Sequence, residues 1–470
     1  MSPSTPTVEL LTAADAENRQ RRAAGAIAAA GLVSGNRVAF CLPSSADLLC
    51  AVLGAARTGV IPVLLNATLT AGERDLLVAD AEPSLRVFDR AALAAVLAGP
   101  PADLAQYPLT RPMHYSSGTT GHPKGVTTGI WDDRRAQEVF DDEADQWGFD
   151  AGDLHMVCSP MYHTVSIRFA AGTVLRGGSV VILSQYDASC ALGVLRQHRP
   201  TTAFLVPTHL QRLLALADLG ADERFGSLRL LAHAGAPCPP VLKRAAMTRV
   251  APPALWEFYG ATEGQFTACS PEEWLARPGT VGRARPGRVL SIEDPAGDDD
   301  GPSLGLRGPR AETTGVGTIW CTVPPFARFS YFGDEAATLA AWRGDAFSVG
   351  DVGHLDAQGY LFLSGRRHDL IITGGVNVYP AEVEAVLAEV PGVAEVAVFA
   401  LPDETWGQRV CAAVVGPGLD IATVRAEASQ RLAPYKRPKQ YLMVADLPHT
   451  ATGKLLRRAV PEHLGLGTDD

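Results

Sequence analysis

No two cysteines stand at CxxC spacing, although eight are present, at positions 41, 50, 158, 190, 238, 269, 321 and 411. That scatter suggests neither a zinc site nor a disulfide framework, and buried thiols in a reducing cytoplasm are the expectation. No long basic run occurs, and the formal net charge is −10, so nucleic acid is not an expected partner on electrostatic grounds. The opening segment "MSPSTPTVELLTAADAENRQRR" lacks the apolar core of a signal peptide, which points to a cytoplasmic location. An uninterrupted apolar run long enough for a membrane span is also missing. The most hydrophobic window, residues 48–69, is broken by Arg57, Pro62 and Asn66. A charge near its centre and a proline favour a buried helix, a glycine-containing turn and a buried strand. Internal repeats and low-complexity tracts are lacking too.

What remains is a globular composition, 47% hydrophobic and 20% charged, over 470 residues. That length exceeds one ordinary core and predicts two or three domains. Over much of the first 365 residues short β-like runs alternate with helical stretches. "SVVIL" precedes "DASCALGVLRQHRP", "TTAFLVP" precedes "THLQRLLALADLG", and "LRLLAHAG" precedes "CPPVLKRAAMT". That rhythm predicts an α/β fold with parallel sheets flanked by helices. From about Arg283 to Tyr331 the texture turns Gly/Pro-rich with short strands, suggesting a small β-rich subdomain. The run "EDPAGDDDG" lacks the spacing and terminal glutamate of an EF-hand and reads as a solvated turn. The last hundred residues predict a separate, smaller α+β module with helices in "YPAEVEAVLAEV" and "IATVRAEASQRL" and a strand in "VAEVAVFALP". The expected organisation is an N-terminal domain over 1–365, a hinge at 366–369 within "LSGRRHDLIITGG", and a mobile C-terminal domain over 370–470.

The stretch "HYSSGTTGHPKGV", residues 114–126, concentrates chemistry. Glycines permit close backbone approach, and successive N–H groups make an anion-binding concavity. Hydroxyls of Ser116, Ser117, Thr119 and Thr120 add donors, with Gly118 between them, and Lys124 adds a point charge suited to phosphate. A polyphosphate cradle is the functional reading; a ligand-free turn is the plain alternative. A P-loop is disfavoured, because it needs Gly-Lys-Ser/Thr opening a helix, whereas the order here is Pro123-Lys124-Gly125.

"YSSGTTGHPKG" resembles the phosphate-loop signature of the adenylate-forming superfamily, which comprises acyl-CoA synthetases, adenylation domains and luciferases. Further segments resemble that family's signatures in the same order: "PMYH" at 160–163, "AGAPCP" at 234–239, "FYGATEG" at 258–264, the long segment 350–384, and "PHTATGK" at 448–454. The resemblance implies a two-step enzyme, in its acyl-CoA synthetase branch. A carboxylate attacks the α-phosphorus of ATP, giving an acyl-adenylate and pyrophosphate. A thiol, usually that of CoA, then attacks the acyl carbon and expels AMP. Bringing a carboxylate toward a polyanion requires cations and oriented donors.

The resemblance also distributes roles. Residues 116–124 would hold the β- and γ-phosphates. Glu263 would bind Mg2+, for which one carboxylate plus phosphate oxygens is apt, and Thr262 would contact the α-phosphate. Asp351 and Arg366 would hold the ribose. Tyr259 would stack on adenine beside Gly235, Ala236 and Pro237, with Phe258 and Gly260 in the same nucleotide site. Lys454, otherwise an ordinary solvated charge, would bridge the carboxylate and the α-phosphate. His368 would be the hinge, a departure from the Asp or Lys common there and a group able to titrate near neutral pH. Gly374 and Gly375 would line the pantetheine channel. Lys436, with Arg437 and Lys439, would meet the CoA phosphates or form only a basic surface turn.

For the acid, His163 matches an aromatic or histidine position that gates the acyl pocket; packing is its plain alternative. Thr208, His209, Ala232, Ala261 and Gly279 are further pocket candidates, many of them small, which suggests a bulky or aromatic acid. Arg168 would take a second carboxylate or, more plainly, brace a helix by pairing with an acid. Amino acids are disfavoured, because "MYHTVS" has no aspartate for an ammonium. A carrier protein's phosphopantetheine arm is the alternative acceptor to CoA, another nucleophile a third, and a nucleotide-binding regulator without turnover a fourth. The first signature begins early, at residue 115, whereas many members of the family that it resembles have a longer region before it; a shorter one would trim the support of the pocket or the contacts of any homodimer.

Overall fold

The computed structural model describes residues 6–116, 123–293, 315–366, 369, 371–373, 376–403, 406–432, 434–450 and 453–466. The βα rhythm of the sequence becomes two six-stranded sheets. In the first, strands run in the order Val8–Leu11, Ser179–Leu183, Leu154–Val157, Thr202–Leu205, Leu230–His233 and Leu255–Glu257. All are parallel except Val8–Leu11, which caps one edge antiparallel. Their runs are almost wholly apolar because helices cover both faces. The second sheet orders Ser330–Tyr331, Lys124–Thr127, Met113–Ser116, Ile61–Leu64, Arg37–Phe40 and Leu85–Val87.

Residues 48–69 resolve as expected. Helix Ala46–Ala56, capped by the Ser45 side chain, is buried almost all round and leads through a turn into strand Ile61–Leu64. The charge in this run is absorbed locally. Arg57 is 6% exposed, pairs with Glu17, and donates to Gln20 Oε1 at 2.9 Å and the Ala105 carbonyl at 2.7 Å. The thiols are free, and six of the eight are buried. Burial pushes Cys50 and Cys158 up to about 12, which leaves them inert near neutral pH. Among the described residues no helix is long and apolar enough to cross a membrane.

The β-rich region is larger than the sequence suggested. Antiparallel strands Val289–Glu293, Gly317–Thr322, Trp342–Arg343, Ala346–Phe347, Asp351–Leu355 and Leu361–Arg366 form a third sheet, so this layer continues to Arg366. Ser330–Tyr331 does not join it; these residues pair antiparallel with Lys124–Thr127 of the second sheet. A two-residue strand has no periodicity to reveal its partner. Sheet membership changes between Arg366 and Ile371. Strands Ile371–Thr373, Val376–Val378, Glu395–Asp403, Gly407–Val415 and Gln440–Met443 form the C-terminal sheet. Helices Pro380–Leu387 and Ile421–Arg431 and strand Glu395–Asp403 fall where the sequence placed them. The "EDPAGDDDG" turn lies outside the described residues.

One buried ion pair underlies the last strand of the first sheet. Lys243 has no exposed side-chain surface and pairs with Glu257, while its ammonium lies 4.7 Å from the Trp274 ring centroid. Burial raises the Glu257 carboxyl above its usual range although Lys243 opposes the shift. Removing one partner strands the other charge, whereas removing both does not. Lys243→Met should therefore cost about 3 kcal/mol in urea unfolding, and Lys243→Met/Glu257→Met should recover most of it. Equal losses in the single and double variants would contradict this.

Candidate active site

A cavity of about 590 Å³ opens beyond the carboxyl ends of strands from both large sheets, the usual ligand position in α/β sheets. Ser159 to Val165 follow strand Leu154–Val157, Val206 and Thr208 follow Thr202–Leu205, Ala234 to Ala236 follow Leu230–His233, and Phe258 and Gly260 to Glu263 follow Leu255–Glu257. From the second sheet come His114, Tyr115, Ser116 and Lys124. Thr450, Gly453 and Lys454 of the C-terminal module complete the lining. Residues far apart in sequence thus meet in one space.

The strands on either side of the hydroxyl-rich stretch pair antiparallel, with Ser116 opposite Lys124 and Tyr115 opposite Gly125. A strand and not a helix begins at Lys124, in keeping with the exclusion of a P-loop. Ser117, Gly118, Thr119 and Thr120 lie outside the described residues. Lys124 lies 5.0 Å from the centroid of the Tyr331 ring and 3.8 Å from Asp334. The Tyr331 hydroxyl donates to Glu263 Oε1 at 2.9 Å. Burial and the Glu263 charge together push this phenol well above its ordinary value, so it stays a donor. The cation and the acid are therefore located by one aromatic side chain, which the sequence did not mark.

Strands Asp351–Leu355 and Leu361–Arg366 place Asp351 directly opposite Arg366. Asp351 accepts a hydrogen bond of 2.6 Å from the Tyr259 hydroxyl, and the Tyr259 ring packs against Phe266 at 4.8 Å. Gly235, with φ +90°, makes the turn after strand Leu230–His233 and is exposed. Ala236 lines the cavity beside it, whereas Pro237 does not. Phe258, expected beside the nucleotide, packs into an aromatic wall with Trp147 at 5.4 Å and Phe204 at 5.9 Å.

The Lys454 loop is a tight turn. Gly453 N–H donates to the Thr450 carbonyl at 2.8 Å, and Lys454 N–H donates to Thr450 Oγ1 at 3.0 Å. Gly453 adopts φ +77°, and a Cβ there would stand 2.5 Å from Thr208 Oγ1. Glycine is required on both counts, and the contact ties the C-terminal module to the first sheet's rim.

The walls of the acid side depart from expectation. Ala261 and Thr208 line the cavity, but Ala232 and Gly279 do not. Trp147, Phe149, Phe169, Phe204 and Phe258 form an aromatic stretch of its lining instead. They come from separate helices, strands and loops, so no local pattern announced them. His209 is not on the lining; its ring stacks on Tyr186 at 3.6 Å. His163 does line the cavity, in ring contact with Tyr162 at 4.2 Å. His114, unremarked in the sequence, lines it as well and bonds the Tyr162 carbonyl through Nδ1 at 2.8 Å. Arg168 pairs with Glu143, the bracing role anticipated as the plain alternative, and both side chains face the cavity. Lys436 is engaged with Glu382. His368, Gly374 and Gly375 lie outside the described residues.

A family model described as AMP-binding enzyme matches residues 6–107 and 111–323, and one described as AMP-binding enzyme C-terminal domain matches 382–454. The chain is 31% identical to a 2-succinylbenzoate–CoA ligase of Bacillus licheniformis, over 93% of this chain and 91% of that protein. It is similar to the solved structure of ATP-bound MatB from Rhodopseudomonas palustris, with TM-score 0.80 and 29% identity over 96% of this chain and 93% of the other. It is similar also to the amide bond synthetase McbA from Marinactinospora thermotolerans, with TM-score 0.81 and 27% identity over 96% and 94%.

Burial sets the protonation of the histidines around the cavity and beneath it. His114 and His163 are pushed down to about 4, His155 and His209 to about 3, and His233 lies well below its ordinary value. All are neutral in the fold at pH 7. Below about pH 6.5 the unfolded chain takes up protons that the folded chain refuses, so stability falls as pH is lowered toward 4. Each such histidine contributes up to about 1.4 kcal/mol per pH unit. Urea midpoints measured at pH 7.5, 6 and 5 should fall progressively, and His155→Phe should flatten the slope. A midpoint independent of pH over that range would contradict the assignment.

Proposed function

Because the chain belongs to the AMP-binding, adenylate-forming enzyme family, in its acyl-CoA synthetase branch, we propose that it is an ATP-dependent acid:CoA ligase. A carboxylate oxygen attacks the α-phosphorus of ATP, and pyrophosphate leaves. The CoA thiol sulfur then attacks the acyl carbon of the mixed anhydride, its proton passes to solvent, and AMP leaves. The acid is bulky or aromatic. In support, Trp147, Phe149, Phe169, Phe204 and Phe258 line one part of the cavity together, and a similar protein carries the name 2-succinylbenzoate–CoA ligase.

The observation that carries this reading is the arrival of Lys454, from the C-terminal module, in the cavity that Thr262, Glu263 and Lys124 line from the N-terminal side. Two anions can meet in a partly dry site only where cations and donors are already in place. Lys454 is the cation at the reacting carboxylate and α-phosphate, with Thr262 donating beside it. Lys124 and the loop at 116–120 grip the phosphates that are discarded. Glu263 suits a magnesium ion: its carboxylate is largely buried, faces the cavity and is oriented by Tyr331. Among the described residues no group of three His, Cys, Asp or Glu forms a protein cage. A magnesium ion that keeps its waters and takes phosphate oxygens needs none, and it would neutralise charge on the departing pyrophosphate. Asp351 and Arg366 receive the ribose hydroxyls and Gly235 and Ala236 the adenine, while Tyr259, expected to stack on the base, is buried against Phe266 and orients Asp351 instead. His163, neutral and beside Tyr162, stands at the entrance to the aromatic part.

Rotation of residues 370–470 about a hinge at 366–369 would exchange the Lys454 loop for the Gly374–Gly375 channel between the two halves. Likeness to an amide bond synthetase favours one second reading, in which an amine instead of a thiol takes the acyl group. An acid panel scored by pyrophosphate release, followed by mass spectrometry with CoA or an amine, separates the two. Lys454→Ala should lower acid-dependent pyrophosphate release by about 10³-fold or more while largely sparing thiolation of supplied acyl-adenylate. Lys124→Ala should lower ATP use by less. Equal loss of both half-reactions in Lys454→Ala would refute the role given to that lysine.

A further inference from the structure

Helix Asp133–Trp147 carries two neighbouring acids, Asp142 and Glu143, of which Glu143 lines the aromatic end of the cavity. Both are enclosed by arginines. Glu143 Oε1 alone receives Arg111 and Arg168. Asp142 receives Arg285 at 3.2 Å and both ends of the Arg288 fork. Four guanidinium groups thus share two carboxylates in a region where no side chain of the set exceeds 20% exposure. The other acids on this stretch, Asp141 and Asp145, turn to Arg176 on the outer side. Positive charge is left in excess.

Arg168 is the member of this group placed to use that excess. It projects from helix Thr164–Leu175 into the cavity lining, and Glu143 is the hydrogen-bond acceptor it meets among the described residues. A guanidinium has further N–H donors in its fixed fork, arranged to match a carboxylate. Its side chain is 16% exposed and is part of the cavity lining. Burial, with like charge on Arg111 and Arg285 added to it, depresses Arg168 well below its ordinary range, and an added anion would relieve that cost. The histidines nearby add no rival charge, since His114 and His163 are neutral.

We propose that the aromatic end of the acyl cavity is an anion subsite built on Arg168, and that the acid activated here is a dicarboxylic acid on a broad, aromatic frame. One carboxylate is adenylated; the second takes the unused face of the Arg168 fork, which Glu143, itself held by Arg111, keeps in place. This rests on the ligase reading above. Arg168 and Glu143 also form the wall toward a smaller apolar cavity of about 60 Å³ lined by Leu53, Val139 and Ile167. If the pair were instead a gate to that space, long neutral chains would be the preferred acids.

The test uses the full-length enzyme, ATP, magnesium, CoA and matched aryl acids. One member of each pair carries a second carboxylate on a short arm, the other a primary carboxamide in its place, and long-chain monoacids complete the panel. Wild type should favour the diacid over its monoamide by at least about 10-fold in kcat/KM for pyrophosphate release. Arg168→Met should collapse that ratio toward one. If that variant fails to fold, the wild-type ratio and Arg168→Lys, which keeps charge but loses the fork, decide. Monoamides or long-chain monoacids used as well as diacids would overturn the subsite and leave the ligase reading standing. Release from no acid at all would overturn the ligase reading and the subsite with it.

Discussion

The antiparallel pairing of Ser330–Tyr331 with Lys124–Thr127 is the contact on which the ATP side of the site depends. Through it the third layer reaches into the second sheet. A single ring then lies against Lys124 while its hydroxyl holds Glu263. Glu263 itself follows a strand of the first sheet. One short strand pair therefore fixes, relative to each other, a cation from the second sheet and an acid from the first. Without it the hairpin that carries the glycine-rich loop would have a free edge, and its lysine would have only Asp334, at 3.8 Å, to place it. The geometry that a polyanion meets is thus a property of sheet architecture rather than of the loop alone.

The second dependence is steric. Gly453 sits against Thr208 with no room for a side chain. A lysine on a long flexible stem would sample a large volume if its backbone were free. Here the backbone is pinned by the Thr450 turn on one side and by Thr208 on the other. Among the described residues the module also meets the third sheet, where helix Pro380–Leu387 packs on strand Leu361–Arg366. The Thr208 contact is the one that places the Lys454 turn at the cavity.

Legibility from sequence follows from how each part is encoded. The α/β architecture was readable because alternation of apolar strands and helices is local. The signatures around Lys124, Thr262, Glu263, Asp351 and Lys454 were readable because each is a consecutive run. The acid side was not. Its wall draws Trp147 from the end of one helix, Phe169 from the middle of another, Phe204 from a central strand and Phe258 from a strand end. Each of these looks like ordinary core in its own segment. Small residues such as Gly279 pointed to a roomy pocket, yet chain direction carried them elsewhere. Tyr331 was invisible for a related reason: its partner strand lies about two hundred residues earlier.

Electrostatics divides the cavity into two ends. Around Lys454, Lys124 and Glu263 the charged groups are available for chemistry and are held by contacts at the edge of the site. Toward the aromatic end, by contrast, the titratable groups are silenced. The histidines are kept neutral by burial, and the carboxylates of Asp142 and Glu143 are saturated by arginines. An apolar wall that carries a buried surplus of guanidinium groups is costly unless something completes it. An apolar residue in place of Arg168 would not carry that cost. A substrate anion completing the Arg168 fork, as proposed above, would relieve that cost and give a largely apolar end of the cavity its selectivity.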